Sequence, residues 1–143
     1  MGYFSDVYLV MRKSDYDLLN SKLDEFYKES GWEKDSAPFW NKTFDAEKNF
    51  CFKGCHTANY YGVNYICHHS YCRYVHLSRN FDREDFQFFY RFADTYKTPY
   101  RIARFGEEWP DVEDEVEEYG SHCDALYDLF NPIPSVKFND VCV

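Results

Sequence analysis

Hydrophobic and polar residues along this chain fall into alternating and helical periods that mark out most of its elements. From Tyr3 to Arg12 the residues alternate, with Val7, Leu9 and Met11 on one side and Tyr8 and Val10 on the other. Both sides are apolar, which predicts a strand inside a sheet rather than at its edge. Ser14 then stands as the N-cap of a helix, with Asp17 three residues on, a carboxylate form of the capping box. Tyr16, Leu19, Leu23 and Phe26 recur at helical spacing, and Gly31 closes the helix.

Residues 32–48 set Trp32, Phe39, Trp40 and Phe44 among polar residues and read as a loop with one short strand. Phe50 to Phe52 reads as a strand broken at Gly54, and Tyr60 to His68 as another, with Gly62 a bulge or turn. Tyr71 to Arg79 alternates again: Tyr71, Val75 and Leu77 face one way, Cys72, Tyr74 and His76 the other. A second helix starts with Asp82 as N-cap and Asp85 as its third residue, and Phe81 and Phe86 form a hydrophobic staple. Its core stripe is Phe88, Phe89, Phe92 and Tyr96. Pro99 forces an exit, and Tyr100 to Phe105 is the next strand.

Asp111 to Tyr119 fits either period. A strand is preferred, because a helix would stack carboxylates four residues apart with no Lys or Arg among them. Asp124 to Phe130 reads as a short helix, and Ile133 to Phe138, interrupted by Pro134, as an edge strand. The expected fold is a single α+β domain over residues 1–143. Its architecture is a ferredoxin-like sandwich, an antiparallel sheet with two helices on one face.

Charge changes the picture. Residues 1–105 carry 14 acidic and 15 basic side chains, whereas residues 106–143 carry 11 acidic and one basic, Lys137. The whole net charge of −9 therefore lies in an acidic C-terminal part, most densely in Glu107 to Glu118, where eight of twelve residues are carboxylic. Phosphate would be repelled there, which argues against direct nucleic-acid binding and for a basic partner, a cation or plain solubility as a solvated acidic face. As a strand, Glu113, Glu115 and Glu117 would line one face at intervals of about 6.5–7 Å. Duplex DNA carries one charge per about 1.7 Å, so this strand alone is too sparse to be a nucleic-acid mimic. No apolar run approaches the roughly eighteen residues of a membrane helix. The opening Met1-Gly-Tyr-Phe-Ser-Asp6 has no basic region followed by an apolar stretch, so no export signal is expected.

Candidate chemistry is concentrated in a Cys/His-rich insert at about 51–76. Cys51, Cys55, His56, Cys67, His68, His69, Cys72 and His76 lie there. Cys51, Cys55, Cys67 and Cys72 could supply a structural zinc site, although their spacing lacks the two-residue knuckle of common zinc fingers. The alternative is that the cysteines act as small core residues. Cys67 with His76 is a nucleophile and base on paper only, with no third group to orient them. There is no glycine-rich phosphate loop and no H-E-x-x-H. No catalytic residue and no cofactor is therefore expected.

Met1-Gly-Tyr-Phe-Ser-Asp-Val7, with Asp15-Tyr16 starting a helix, resembles the opening of a group of small phage and prophage accessory proteins of unassigned activity. Arg104-Phe-Gly-Glu-Glu108, Asp111-Val-Glu-Asp-Glu115 and Tyr119-Gly120 continue the resemblance, while the Cys/His-rich insert departs from it. The resemblance implies a protein made in the cytoplasm of an infected bacterial host and carries over no functional residue.

The expected function is protein–protein binding that disables a host nucleic-acid-handling defence complex, as anti-CRISPR proteins do. The contacting residues would be Glu107, Glu108, Trp109, Asp111, Glu113, Asp114, Glu115, Glu117 and Glu118, meeting a host protein with a basic surface. The alternatives are a small metal-dependent or cysteine enzyme built on the Cys/His cluster, and a phage structural or assembly accessory.

Overall fold

The computed structural model describes residues 4–31, 38–41, 51–73, 75–77, 83–108, 111–120 and 123–130. Within them five strands and four helices follow one another. They are β1 (Phe4–Arg12), α1 (Lys13–Ser21), α2 (Leu23–Ser30), β2 (Cys51–Tyr60), β3 (Val63–Arg73), α3 (Glu84–Tyr96), β4 (Tyr100–Gly106), β5 (Val112–Glu117) and α4 (Cys123–Asp128). The fold is α+β, with one open antiparallel sheet in the order β2-β3-β1-β4-β5. The doubly apolar strand β1 is at its centre, as its pattern required.

Successive side chains of a strand point to opposite faces, and paired residues share a face. The registers thus put Val7, Leu9 and Met11 of β1 with Ile66, His68, Ser70 and Cys72 of β3 and with Tyr100, Ile102 and Arg104 of β4. The main core joins the apolar members of this set to Tyr16, Leu19 and Phe26 of α1 and α2 and to Phe86, Phe88, Phe89 and Phe92 of α3. Phe39 and Trp40 are buried among them, with Phe39 stacked on Phe86 at 4.1 Å and Trp40 on Phe88 at 5.7 Å. A smaller core on the other face joins Val10 and Tyr65 to Ala125 and Leu126 of α4.

Several expectations are corrected. The first helix begins at Lys13 with Arg12 as its N-cap and no side-chain cap, so Ser14 does not cap it. It is also two helices, because Asn20 and Ser21 donate to the carbonyls of Tyr16 and Leu18, competing with the helical ladder just before Lys22. Gly31 ends α2 at φ 71°.

Tyr60–His68 and Tyr71–Arg79 are not two strands. A single β3 runs through His69 and Ser70, because both pair with β1, and it ends at Arg73 opposite Phe4, the first residue of β1. Val75 and Leu77 are buried in the main core beyond its end. Gly62 lies in a hairpin turn, and β2 passes Gly54 through a register shift instead of breaking there.

In α3, Arg83 is the N-cap, while Phe81 and Asp82 lie outside the described residues. Phe86 and Tyr90 join the core stripe, and Tyr96 is exposed. Trp32, Phe44, Tyr74, Trp109 and Ile133 to Phe138 also lie outside the described residues. Among the described residues no helix is long and apolar enough to cross a membrane.

Candidate partner-binding surface

Val112–Glu117 of the acidic stretch is a strand, the alternative its charge pattern favoured, and it forms one edge of the sheet among the described residues. Its register with β4 puts Glu113, Glu115 and Glu117 on the face that carries the main core, and Val112, Asp114 and Val116 on the other. The turn before it is tight: Gly106 N–H donates to the Asp111 carbonyl at 2.8 Å, and Asp111 N–H to the Glu108 carbonyl at 2.8 Å.

The decisive residue is Arg104, which lies on the core face of β4 and is 1% exposed. Its guanidinium donates to Ser5 Oγ at 2.8 Å and to the carboxylates of Asp111 and Glu113. Burial alone would lower its pKa, but its bonds to the Asp111 and Glu113 carboxylates and their charge outweigh that and hold it above the ordinary arginine value. Glu113 also accepts Leu77 N–H at 3.0 Å, with His76 Nδ1 3.5 Å away.

Other members of the stretch have partners too. Glu115 accepts from Tyr90 Oη at 2.6 Å, and Glu107 accepts Phe4 N–H at 2.8 Å. On the opposite face Asp114 takes a two-pronged bond from Arg101, at 3.1 and 2.7 Å. The Arg101 guanidinium also lies over the rings of Tyr127, at 4.7 Å, and Phe130, at 3.9 Å. Glu107, Glu108, Asp114 and Glu118 are the exposed acids of the stretch; Asp111, Glu113, Glu115 and Glu117 are half-buried.

The sequence reading overlooked Arg101 and Arg104 as the cations that make this strand tenable. Arg104 was detectable. It shares strand parity with Tyr100 and Ile102, and a charge on the apolar side of a strand needs a buried partner.

The described members of the Cys/His cluster do not converge on one point. Cys55 pairs with His68 and so lies on the core face with Cys72, whereas Cys67 lies on the α4 face. Cys51 pairs with Tyr71, but its side chain is not described. Among the described residues no three His, Cys, Asp or Glu side chains converge as metal ligands. Cys72 is fully buried, 3.6 Å from Ser70 Oγ, and its thiol is pushed up to about 11 by burial.

Cys67 is half-buried under α4, directs its thiol at the Leu129 carbonyl at 3.7 Å, and is likewise pushed up to about 11 by burial. A thiol so held is a poor nucleophile. His76 lies beyond the far end of β3, and the six strand positions from Cys67 to Arg73 span roughly 20 Å. The two do not form a catalytic pair.

His69 is instead bonded to Asp6 at 2.7 Å and stacked on Tyr8 at 4.2 Å. His68 is buried on the core face, its ring 6.0 Å from that of Tyr16.

Compared with protein-family models, curated proteins and solved structures, the chain matches none.

Proposed function

We propose that this protein acts by binding a basic surface of another protein, with β5 and the turn before it as the contact. The observation behind this reading is the segregation of charge: a balanced body and an edge strand dense in carboxylates. The contact falls to the exposed acids Glu107, Glu108, Asp114 and Glu118, with Glu117 beside them on the strand. Asp111 and Glu113 serve mainly to hold Arg104 and fix the strand. A host nucleic-acid-handling complex is the partner class that best fits. Its phosphate-binding groove is basic, and an acidic edge would compete for it without needing catalysis. The resemblance in the opening residues and the acidic hairpin implies only the setting, phage infection, and an inhibitor of the anti-CRISPR kind would act there.

The first four strands support a ferredoxin-like core. Their spatial order β2-β3-β1-β4 is antiparallel throughout, with helices between β1 and β2 and between β3 and β4. On this reading β5 and α4 are additions, and β5 is the one that carries the acidic surface.

The experiment is capture of partners from bacterial lysate by the wild-type chain and by the Glu108→Lys/Glu117→Lys/Glu118→Lys variant, followed by association kinetics. A basic partner that binds the wild type faster, with a rate that falls as salt rises, supports the proposal. Equal and salt-independent rates refute it.

A further inference from the structure

The hairpin joining β2 to β3 turns on Tyr61 and Gly62, at φ 49° and 87°. Tyr60 and Val63 pair across it, so the loop is two residues long, and positive φ at both central positions is the signature of a type I′ turn. Asn, Asp or Gly is favoured at the first of these positions, because a bulky side chain is strained there. Asn59 braces the turn: its side-chain oxygen accepts Gly62 N–H at 3.1 Å and its amide donates to Asn64 at 3.0 Å.

The strained position nevertheless holds a tyrosine, and its ring is 91% exposed. It meets the Tyr60 ring edge-on at 4.7 Å and adds nothing to either core. A strained backbone that presents a large ring to solvent is a feature without benefit to folding.

The surroundings of the tip define what it can hold. Val63 is exposed beside it. Tyr60 Oη donates to Asp128 and ties α4 to the hairpin. Along α4, Asp124, Tyr127 and Asp128 are exposed. Exposed rings among carboxylates match a guanidinium, which stacks on a ring face while pairing with an acid. The chain uses this chemistry internally, where Arg101 pairs with Asp114 and lies over Tyr127 and Phe130.

We propose that the β2–β3 hairpin tip is a docking surface for an arginine-bearing segment of a basic protein partner. The Tyr61 ring takes the guanidinium face, and Asp124 and Asp128 take its charge. This rests on the reading that the partner is basic, but it uses the edge strand opposite β5.

The test is titration of the full chain with two peptide probes of equal length and charge, one arginine-rich and one lysine-rich. Affinity is read calorimetrically and the contact site by amide chemical shifts. The wild type should bind the arginine probe roughly five- to tenfold more tightly than the lysine probe, with shifts centred on Tyr61, Asp124 and Asp128.

Tyr61→Asn should abolish that preference and raise Tm, since asparagine tolerates the turn; Tyr61→Phe should keep the preference. Equal binding of the two probes, no binding, or a preference retained in Tyr61→Asn would overturn the proposal. If Glu117→Lys/Glu118→Lys weakens binding and Tyr61→Asn does not, the tip is refuted and the acidic edge stands. The converse result supports the tip and refutes β5 as the contact.

Discussion

Arg104 and Glu113 face each other across β4 and β5, and the buried guanidinium donates its Nε–H to the half-exposed carboxylate. The acidic strand is therefore anchored to the core through a cation that the charge count of residues 106–143 does not include. Some of its carboxylates thus hold the fold, and Glu107, Glu108, Asp114 and Glu118 are the ones left exposed.

Replacing Arg104 with leucine should destabilise the protein by about 3 kcal/mol, the usual cost of breaking a buried ion pair. Glu113→Lys should be at least as harmful, because it sets a second cation against a buried guanidinium. Urea unfolding of both variants checks this, and wild-type midpoints would contradict it.

Asp85 is 0% exposed, accepts Phe39 N–H at 3.0 Å, and pairs with Arg83 at 2.9 Å. It ties the start of α3 to the segment that buries Phe39 and Trp40. Asp85→Ala leaves a half-buried arginine and the buried N–H groups of Phe39 and Phe86 without that acceptor, so a loss of about 3–4 kcal/mol is expected. Asp85→Asn, which retains an acceptor, should cost less. Thermal and urea unfolding rank the two.

Alkaline pH should weaken the fold through its thiols. Burial raises Cys72 from 9.0 to about 11, so the unfolded chain ionises first. This stability is fully present below pH 9 and is lost as pH rises from 9 to 11, approaching about 1.4 kcal/mol per pH unit for the fully buried Cys72. Cys67, raised by burial in the same direction, adds to the loss. Tm measured from pH 7 to 11 should fall less steeply for Cys72→Ala than for wild type; parallel curves would show that the thiol is not responsible.

Chelation should leave the fold untouched. Cys67 is separated by the sheet from Cys55 and Cys72, so no zinc holds them together. Tm with and without excess EDTA should coincide, and a drop on chelation would count against this arrangement.

Association with a basic partner should be slowed by Glu108→Lys/Glu117→Lys/Glu118→Lys, with little change in dissociation. Steering by clustered charge decays over about 8 Å at physiological salt, so the difference should shrink as salt rises. Stopped-flow mixing at several ionic strengths measures it.

Local patterns were legible in the chain because each depends on neighbours within a few residues. The alternation of Tyr3 to Arg12 marked the central strand, the spacing of Tyr16, Leu19 and Phe26 marked the first helical face, and the run of like charge in Asp111 to Tyr119 favoured a strand over a helix. The concentration of carboxylates after Phe105 needed only counting.

Tertiary structure decided whatever depends on which strand lies beside which. Pairing with β1 merged two expected strands into β3, because His69 and Ser70 have partners there that local composition does not reveal. Register separated Cys67 from Cys55 and Cys72, since a cross-strand pair shares a face and the next residue takes the other. It also brought Arg104 opposite Glu113, turning part of an acidic surface into the counter-charge of a buried guanidinium. Strand parity is written in the sequence, but the alignment of one strand against another is set by the packing of the whole sheet.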